Sequence, residues 1–224
     1  MQIQSLDIEE QTFVLHSSGA VFWEEKSIVL ISDVHLGKVS HFRKHGAAVP
    51  QNAIQRNFDL MDGAIDFFQP EILVFLGDLF HSSLNKEWEL FENWTSTVIS
   101  DIVLVAGNHD ILSPLKYEGL GIRVASEIQL DGFLLTHYPE EREGFFNLSG
   151  HIHPAVRLQG PGRQTLRLSC FFKSEKQIIL PAFGAFTGTY VMHPTDNDEI
   201  YAIADDAVFK VATKESKRRK RVSR

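Results

Sequence analysis

The stretch IVLISDVHLG, residues 28–37, decides the fold of this chain. Its first four residues are apolar and mostly β-branched, which is typical of a strand buried in a parallel sheet. Two candidate ligands, Asp33 and His35, follow this run. In α/β sheets, ligand sites gather outside the carboxyl ends of the strands. The stretch therefore predicts a buried strand that delivers a carboxylate and an imidazole to one edge of a sheet.

The pattern of an apolar run followed by polar residues recurs further along the chain. The later runs are Ile72–Leu76 before Asp78, Ile102–Ala106 before Asn108, His109 and Asp110, Phe133–Thr136 before His137, and Phe145–Ser149 before His151 and His153. All five segments are expected to bring their polar side chains to one rim. The glycines before Asp78, Asn108 and His151 would relieve crowding where the chain turns beneath a ligand.

Amphipathic helices separate the first three runs. One helical face is predicted between Pro50 and Gln69, formed by Ile54, Phe58, Met61, Ile65 and Phe68. A second helical period begins near Leu84, with Asn85 among its candidate N-caps. The alternation of strands and helices indicates an α/β domain with a largely parallel first sheet.

The second half of the chain has a different pattern. Thr165–Phe172 and Ile200–Val211 read as strands, and a turn-forming segment at residues 159–164 precedes the first of them. These segments predict a second, more antiparallel sheet packed on the first. Residues 12–23 predict an N-terminal hairpin, broken at Ser17-Ser18-Gly19.

Seven of the polar residues form the donor set of a predicted metal centre. They are Asp33, His35, Asp78, Asn108, His137, His151 and His153. This mixture of oxygen and nitrogen donors, with no thiolate, suits Mn²⁺, Fe²⁺, Zn²⁺ or Mg²⁺. Seven ligands are too many for one tetrahedral ion, and they suit two ions about 3.5–4 Å apart that share a bridging carboxylate.

Length and charge predict one domain with a C-terminal tail. The chain has 224 residues, which suits one domain, and we expect it at residues 1–213, followed by a basic, disordered tail at 214–224. The chain carries 22 Lys and Arg and 29 Asp and Glu, and the tail contains seven of the basic residues and one of the acidic ones. Residues 1–213 therefore carry 15 basic and 28 acidic side chains. The body is therefore acidic. The basic tail is either a solvated terminus or a contact for nucleic-acid phosphates.

Other features bear on the surroundings of the protein. The N-terminus has no apolar targeting segment and no apolar run approaches membrane length, so we expect a cytoplasmic protein with no membrane partner. The single cysteine, Cys170, fits a reducing compartment and alternates with apolar residues, as a small core residue does. The sequence leaves the oligomeric state open, a homodimer included.

The motifs DVH (33–35), GD (77–78), GNHD (107–110), TH (136–137) and GHIH (150–153), in this order and spacing, resemble the calcineurin-like metallophosphoesterase superfamily. The resemblance implies an α/β fold: a four-layer α/β/β/α sandwich of two mixed β-sheets flanked by helices. It places one metal on Asp33, His35, Asp78 and His153, and the other on Asp78, Asn108, His137 and His151. Asp78 would be the bridge. The resemblance also makes His109 a catalytic non-ligand that acts on the leaving oxygen, with Asp110 as the residue that orients it.

A narrower resemblance extends past these motifs. DVHLGKVSHFRKHGAAVP (33–50), GDLFHS (77–82) and LPAFGAFTG (180–188) resemble the bacterial ligase-associated DNA damage response metallophosphoesterases, endonucleases often encoded near a DNA ligase and a helicase. This implies Mn²⁺-dependent hydrolysis of a phosphodiester substrate, DNA in that family, and a functional link to a ligase and a helicase. Lys38, Arg43 and His81 are the candidate substrate-binding residues. An exposed basic helix face and helix capping are the alternatives for them.

Two further functions stay open at this stage. A phosphodiesterase, pyrophosphatase or phosphomonoesterase for small nucleotides would use the same two-metal chemistry. The acidic body favours this alternative, since duplex-binding proteins usually display broad basic surfaces. A non-catalytic scaffold is the third possibility; such proteins lose ligands or the catalytic histidine, whereas this chain keeps both.

Overall fold

The computed structural model describes residues 3–44, 52–81, 85–185 and 187–212. Within these residues, seven strands form the first sheet, and their order in space is their order along the chain. They are β1 (Gln4–Ile8), β2 (Gln11–Leu15), β3 (Val21–Trp23), β4 (Ile28–Ile31), β5 (Ile72–Leu76), β6 (Asp101–Val105) and β7 (Arg123–Ala125). The strands from β1 to β4 are antiparallel, and those from β4 to β7 are parallel. The predicted hairpin and parallel half are both present.

Four helices in the described residues lie between β4 and β7. They are α1 (Lys38–Lys44), α2 (Asn52–Phe68), α3 (Lys86–Thr95) and α4 (Pro114–Glu118). The apolar face of α2 packs on the sheet through Phe58 and Met61, as its periodicity predicts. Asn85 caps α3, because its side chain accepts a hydrogen bond from the backbone N–H of Glu87.

The second sheet takes up the rest of the chain and contains nine strands in the described residues. They are β8 (Ile128–Leu130), β9 (Phe133–Leu135), β10 (Phe146–Ser149), β11 (Pro154–Gln159), β12 (Thr165–Lys173), β13 (Gln177–Ile179), β14 (Tyr190–Val191), β15 (Glu199–Ala204) and β16 (Ala207–Lys210). The spatial order is β14-β11-β12-β13-β10-β9-β8, with β15 beside β12 and β16 beside β15. The fourth and fifth apolar runs, β9 and β10, therefore belong to this sheet, where they run parallel to each other.

The core of the molecule lies between the two sheets. Successive residues of β4 alternate in direction: Ile28 and Leu30 face the second sheet, while Val29 and Ile31 face the helices. Burial on both faces explains why these strands read as continuous apolar runs. The predicted fold of two mixed sheets with flanking helices is confirmed.

The outer layers differ from each other. The helices flank the first sheet, whereas the outer face of the second sheet carries a smaller apolar cluster around Cys170 and Phe172. No α-helix follows Glu118 in the described part of the chain. The predicted tail, 214–224, lies outside the described residues, and the domain bounds stay a prediction. In the same ranges, no helix is both long enough and apolar enough to cross a membrane.

Candidate metal centre

The five predicted segments meet at one rim. Three follow the carboxyl ends of β4, β5 and β6 in the first sheet, and two follow β9 and β10 in the second. The rim gathers the seven predicted ligands into two groups, each with three acidic or imidazole side chains at its centre.

The first group contains Asp33, His35 and His153. Asp33 Oδ1 lies 3.1 Å from His153 Nε2 and 3.8 Å from His35 Nε2. The two imidazoles approach each other, with 3.4 Å between their Nε2 atoms. Asp33 and His35 are buried, and His153 is partly exposed, so this group is open to solvent on one side.

The second group contains Asp78, His137 and His151. His137 Nε2 is its centre, 3.1 Å from His151 Nδ1 and 3.4 Å from Asp78 Oδ1. Asn108 joins the group, because its Oδ1 lies 3.1 Å from the same His137 nitrogen. Asp78 and His137 are buried, whereas Asn108 is exposed.

The Asp78 carboxylate lies between the two groups. Its Oδ2 lies 3.8 Å from His35 Nε2, and its Oδ1 lies 3.4 Å from His137 Nε2. One oxygen is therefore directed to each group, which is the arrangement that a bridging ligand requires.

The tautomers of two histidines test whether the rim suits cations. His137 Nδ1 lies 2.9 Å from the carbonyl oxygen of Leu76, and His153 Nδ1 lies 2.9 Å from that of Gly188. A carbonyl only accepts, so both Nδ1 atoms must carry the proton. In the neutral rings, each Nε2 then presents a lone pair toward carboxylate or carboxamide oxygens. Acceptors that converge on acceptors are unfavourable unless a positive charge lies between them, so the donor set fits divalent cations.

The pKa shifts agree with a positive charge at the first group. Burial opposes ionisation of Asp33, but the neighbouring His153 and the Ser32 hydroxyl hold the pKa of its carboxyl below its ordinary value. Burial lowers the pKa of His153, yet contact with Asp33 outweighs it and raises that pKa. Burial lowers the pKa of His35 to about 3, so this ring is neutral. A proton between Asp33 and His153 occupies the place for which a divalent cation would compete.

The backbone of the proposed ligands is unusual. Asp33, His35, Asp78, His151 and His153 have φ angles of 57°, 51°, 52°, 68° and 53°. These are left-handed conformations, which cost most non-glycine residues about 1–3 kcal/mol and cluster at functional sites. Asp and His are among the side chains that tolerate them best.

Close approach requires glycine at several positions of the rim, and Gly107 and Gly150 lie against carboxylates. A Cβ atom on Gly107 would overlap Asp78 Oδ1, and one on Gly150 would overlap Ser32 Oγ and Asp33 Oδ2. Both positions bring one ligand loop against a carboxylate of another. The sequence indicates crowding at the rim only in general terms, and the structure identifies the residues that cause it.

Three imidazoles form a second arrangement beside the first metal group. The ring centroid of His109 lies 4.5 Å from that of His81 and 5.5 Å from that of His35. The backbone N–H of His109 donates to Asp78 Oδ1 over 2.9 Å, which fixes its loop to the proposed bridge. His109 and His81 are partly exposed, so both rings are accessible at the rim.

The Asp110 carboxylate bonds to the backbone on two sides. Its two carboxylate oxygens accept the backbone N–H groups of Phe80 (3.0 Å) and Gly107 (2.9 Å). Burial raises the pKa of Asp110, and these hydrogen bonds only partly offset the effect. Asp110 therefore holds the loop that carries His109.

Lys38 and Arg43 differ in position. Lys38 is partly buried at the start of α1; burial lowers the pKa of its amine, and the charges of Asp33 and Asp78 act in the opposite sense. Lys38 is therefore near the rim. Arg43 is exposed on the same helix, and no described contact joins it to the proposed ligands.

Several functional contacts escape sequence reasoning. The Ser32 hydroxyl donates to Asp33 Oδ2 over 2.6 Å, and the carbonyls of Leu76 and Gly188 set two imidazole tautomers. The loop that contains Gly188 also lies on the first motif, because the Gly184 N–H donates to the Asp33 carbonyl over 3.1 Å. Backbone partners leave no trace in residue type, so only the folded chain reveals them.

Comparisons with known proteins bear on this rim. A family model described as calcineurin-like phosphoesterase matches residues 26–194. The crystal structure of the Pseudomonas putida nuclease MPE superposes with a TM-score of 0.78 at 27% identity, over 94% of this chain and 100% of that one. The crystal structure of a protein of unknown function from Aquifex aeolicus superposes with a TM-score of 0.41 at 18% identity, over 56% of this chain and 78% of that one. A search of curated protein sequences found no match.

Proposed function

Because the chain belongs to the calcineurin-like phosphoesterase family, we propose that it is a two-metal phosphodiesterase whose substrate is DNA. Family membership makes it a metal-dependent phosphoesterase, a hydrolase. The proposal is more specific in three respects: the substrate is a phosphodiester, that substrate is DNA, and the metal is Mn²⁺.

One observation carries this proposal: two groups of converging acceptor atoms that share the Asp78 carboxylate. Asp33, His35 and His153 would hold one cation, while Asn108, His137 and His151 would hold the other. Two such cations would neutralise the phosphoryl oxygens and make a water molecule available as nucleophile near neutral pH. Oxygen and nitrogen donors without a thiolate suit Mn²⁺.

The neighbouring residues would complete the reaction. His109 is accessible at the rim, with its ring 5.5 Å from that of His35 between centroids, so it is suited to protonate the leaving oxygen. His81, 4.5 Å from it between ring centroids, would help to position the substrate. Lys38 lies near both carboxylates and would contact a non-bridging phosphate oxygen, whereas Arg43 would reach only a longer substrate.

DNA as the substrate rests on resemblance. The Pseudomonas putida protein is a nuclease, and it is similar to this chain over almost its entire length. A function in DNA repair, linked to a ligase and a helicase in the cytoplasm, would follow from that resemblance. The acidic charge of residues 1–213 favours the alternative of a small nucleotide as substrate.

The first experiment separates diesters from monoesters. With Mn²⁺, the protein is expected to hydrolyse bis(4-nitrophenyl) phosphate much faster than 4-nitrophenyl phosphate, and Asp78→Ala should abolish both activities. Single-stranded, duplex and branched DNA, RNA and cyclic dinucleotides then identify the substrate. Faster cleavage of the cyclic dinucleotides than of every DNA would favour the small-nucleotide function. If no diester were hydrolysed at all, the result would favour the non-catalytic scaffold.

A second experiment tests the role of His109. His109→Ala should lower the turnover of DNA by roughly 10²–10⁴-fold, as expected for loss of a general acid, while the bound metal stays at the wild-type level. His193→Ala is the control, because this exposed histidine lies outside the rim. Loss of metal from His109→Ala, measured by elemental analysis, would contradict a non-ligand role.

A further inference from the structure

An exposed aromatic side chain lies against the second metal group. The ring of Tyr138 is 4.3 Å from that of His151 and 4.9 Å from that of His137, measured between centroids. Tyr138 nevertheless keeps 50% of its surface exposed. One part of the ring thus packs on two proposed ligands, and the rest faces solvent at the mouth of the site.

A buried hydrogen-bond network fixes the backbone that carries this ring. The Thr136 hydroxyl donates to the carbonyl of Tyr138 over 2.7 Å, and it accepts from Asn147 Nδ2 over 2.8 Å. Asn147 Oδ1 accepts the backbone N–H of Glu140 over 3.1 Å, beyond the tyrosine. Thr136 and Asn147 are both buried. The turn from 136 to 140 is therefore held on both sides of Tyr138, and the ring is presented from a fixed position.

An aromatic face in this place has a specific use in a nuclease. Bases stack on exposed aromatic side chains, and this stacking depends little on sequence because every base has a π-face. A phosphodiester bound at the rim would have its neighbouring nucleosides within reach of the ring. Only a base that is unpaired and unstacked from its neighbour offers such a face.

We propose that Tyr138 stacks on an unpaired nucleobase next to the scissile phosphate and so selects nucleic acid over small diesters. This inference rests on the proposed function. The competing role is structural, in which the ring only shields His151 and His137 from water. The two roles differ in what they demand of the substrate: stacking requires a base there, and shielding does not.

The test removes the ring from the enzyme and the base from the substrate. The probe is a single-stranded oligodeoxythymidylate with one cleavable phosphodiester among methylphosphonate linkages, made with a normal or an abasic residue on either side of that bond. For the wild type with Mn²⁺, loss of one of these bases should lower kcat/KM by about 5- to 150-fold, the value of one stacked base. In Tyr138→Ala, the normal oligomer should fall to the abasic level, and loss of the base should have no further effect.

Controls separate stacking from shielding. Tyr138→Phe keeps the aromatic face and should behave as the wild type. Phe67→Ala removes a ring of similar exposure, 49%, that packs on His16 and Phe68, and it should change nothing. The metal content should be the same in all variants, and hydrolysis of methyl 4-nitrophenyl phosphate by Tyr138→Phe and Phe67→Ala should equal that of the wild type.

Each outcome bears on a different claim. An equal effect of the abasic residue in the wild type and in Tyr138→Ala would overturn the stacking role, as would loss of metal from Tyr138→Ala. Cleavage of methyl 4-nitrophenyl phosphate but of no oligomer by the wild type would overturn the nucleic-acid substrate and this inference together. No hydrolysis of either would overturn the phosphodiesterase itself.

Discussion

At the scale of single residues, the rim constrains its ligands twice. A ligand must supply an oxygen or nitrogen lone pair, and at Asp33, His35, Asp78, His151 and His153 it must also accept a left-handed backbone. Asp and His meet both demands better than Glu or a β-branched residue would. A substitution that keeps a donor atom but alters backbone preference is therefore expected to damage the site.

Gly150 provides the sharpest residue-scale prediction. In Gly150→Ala, the new Cβ would overlap Ser32 Oγ and Asp33 Oδ2, so the loop must move away from the first metal group. We expect lower stability, by about 1–3 kcal/mol as for an overpacked site, and loss of Mn²⁺. Denaturant unfolding and elemental analysis measure the two effects.

Gly63 is the matched control for that change. It is exposed within α2, and a Cβ there would meet no atom within 4 Å. Gly63→Ala should raise the stability by about 0.5–1 kcal/mol and leave the metal content unchanged. If Gly150→Ala bound metal as tightly as Gly63→Ala, the close approach at Gly150 would not matter.

At the scale of elements, a buried carboxylate connects α3 to the first motif. Glu87, in the first turn of α3, is fully buried; its Oε2 accepts the N–H of Gly37 over 2.6 Å, and its Oε1 accepts that of Ser40 over 2.9 Å. These amides lie on either side of Lys38, just after His35. Glu87 thus determines where the first motif ends and where α1 begins.

Removal of Glu87 should affect the enzyme at a distance. Glu87→Ala leaves the buried N–H of Gly37 without an acceptor, at about 1–3 kcal/mol, and the partly buried N–H of Ser40 at a lower cost. It also releases the segment that carries Lys38. We expect a lower Tm and a higher KM for DNA, with Glu87→Gln intermediate because it keeps one acceptor oxygen. Glu89→Ala, on the exposed side of the same turn, should cost less than about 1 kcal/mol. If the KM for DNA were unchanged in Glu87→Ala, this carboxylate would not contribute to substrate binding.

The elements also show what sequence reasoning can reach. The strands β4, β5 and β6 were predictable because each is a continuous apolar run that is followed by ligands. The N-cap at Asn85 was predictable because capping depends on the type of the capping residue itself. β7, β8, β14 and α4 are too short for a period to emerge. The partners of Glu87 lie in a distant segment, and nothing in its residue type indicates them. Tyr138 packs on His137 and on His151, and its residue type does not indicate that contact either.

At the scale of the whole molecule, the proposed metals join the two sheets. The first group takes Asp33 and His35 from the loop after β4 and His153 from beyond β10. The second takes Asp78 from the loop after β5, and His137 and His151 from the second sheet. Neither sheet alone can form either group. Metal binding and the packing of the two sheets are therefore coupled.

Metal removal should accordingly lower the stability of the entire domain. A cation that binds only the folded chain stabilises it by about 2.7 kcal/mol at a hundred times its Kd. For a domain of this size, that corresponds to a rise in Tm of about 5–11 °C per site. Thermal unfolding in EDTA and in rising Mn²⁺ measures the shift in Tm.

Two variants provide the controls. His109→Ala should keep the full shift in Tm, whereas Asp78→Ala, which removes the ligand common to both groups, should lose most of it. An equal Tm with and without Mn²⁺ in the wild type would mean that the two groups do not hold cations that join the sheets.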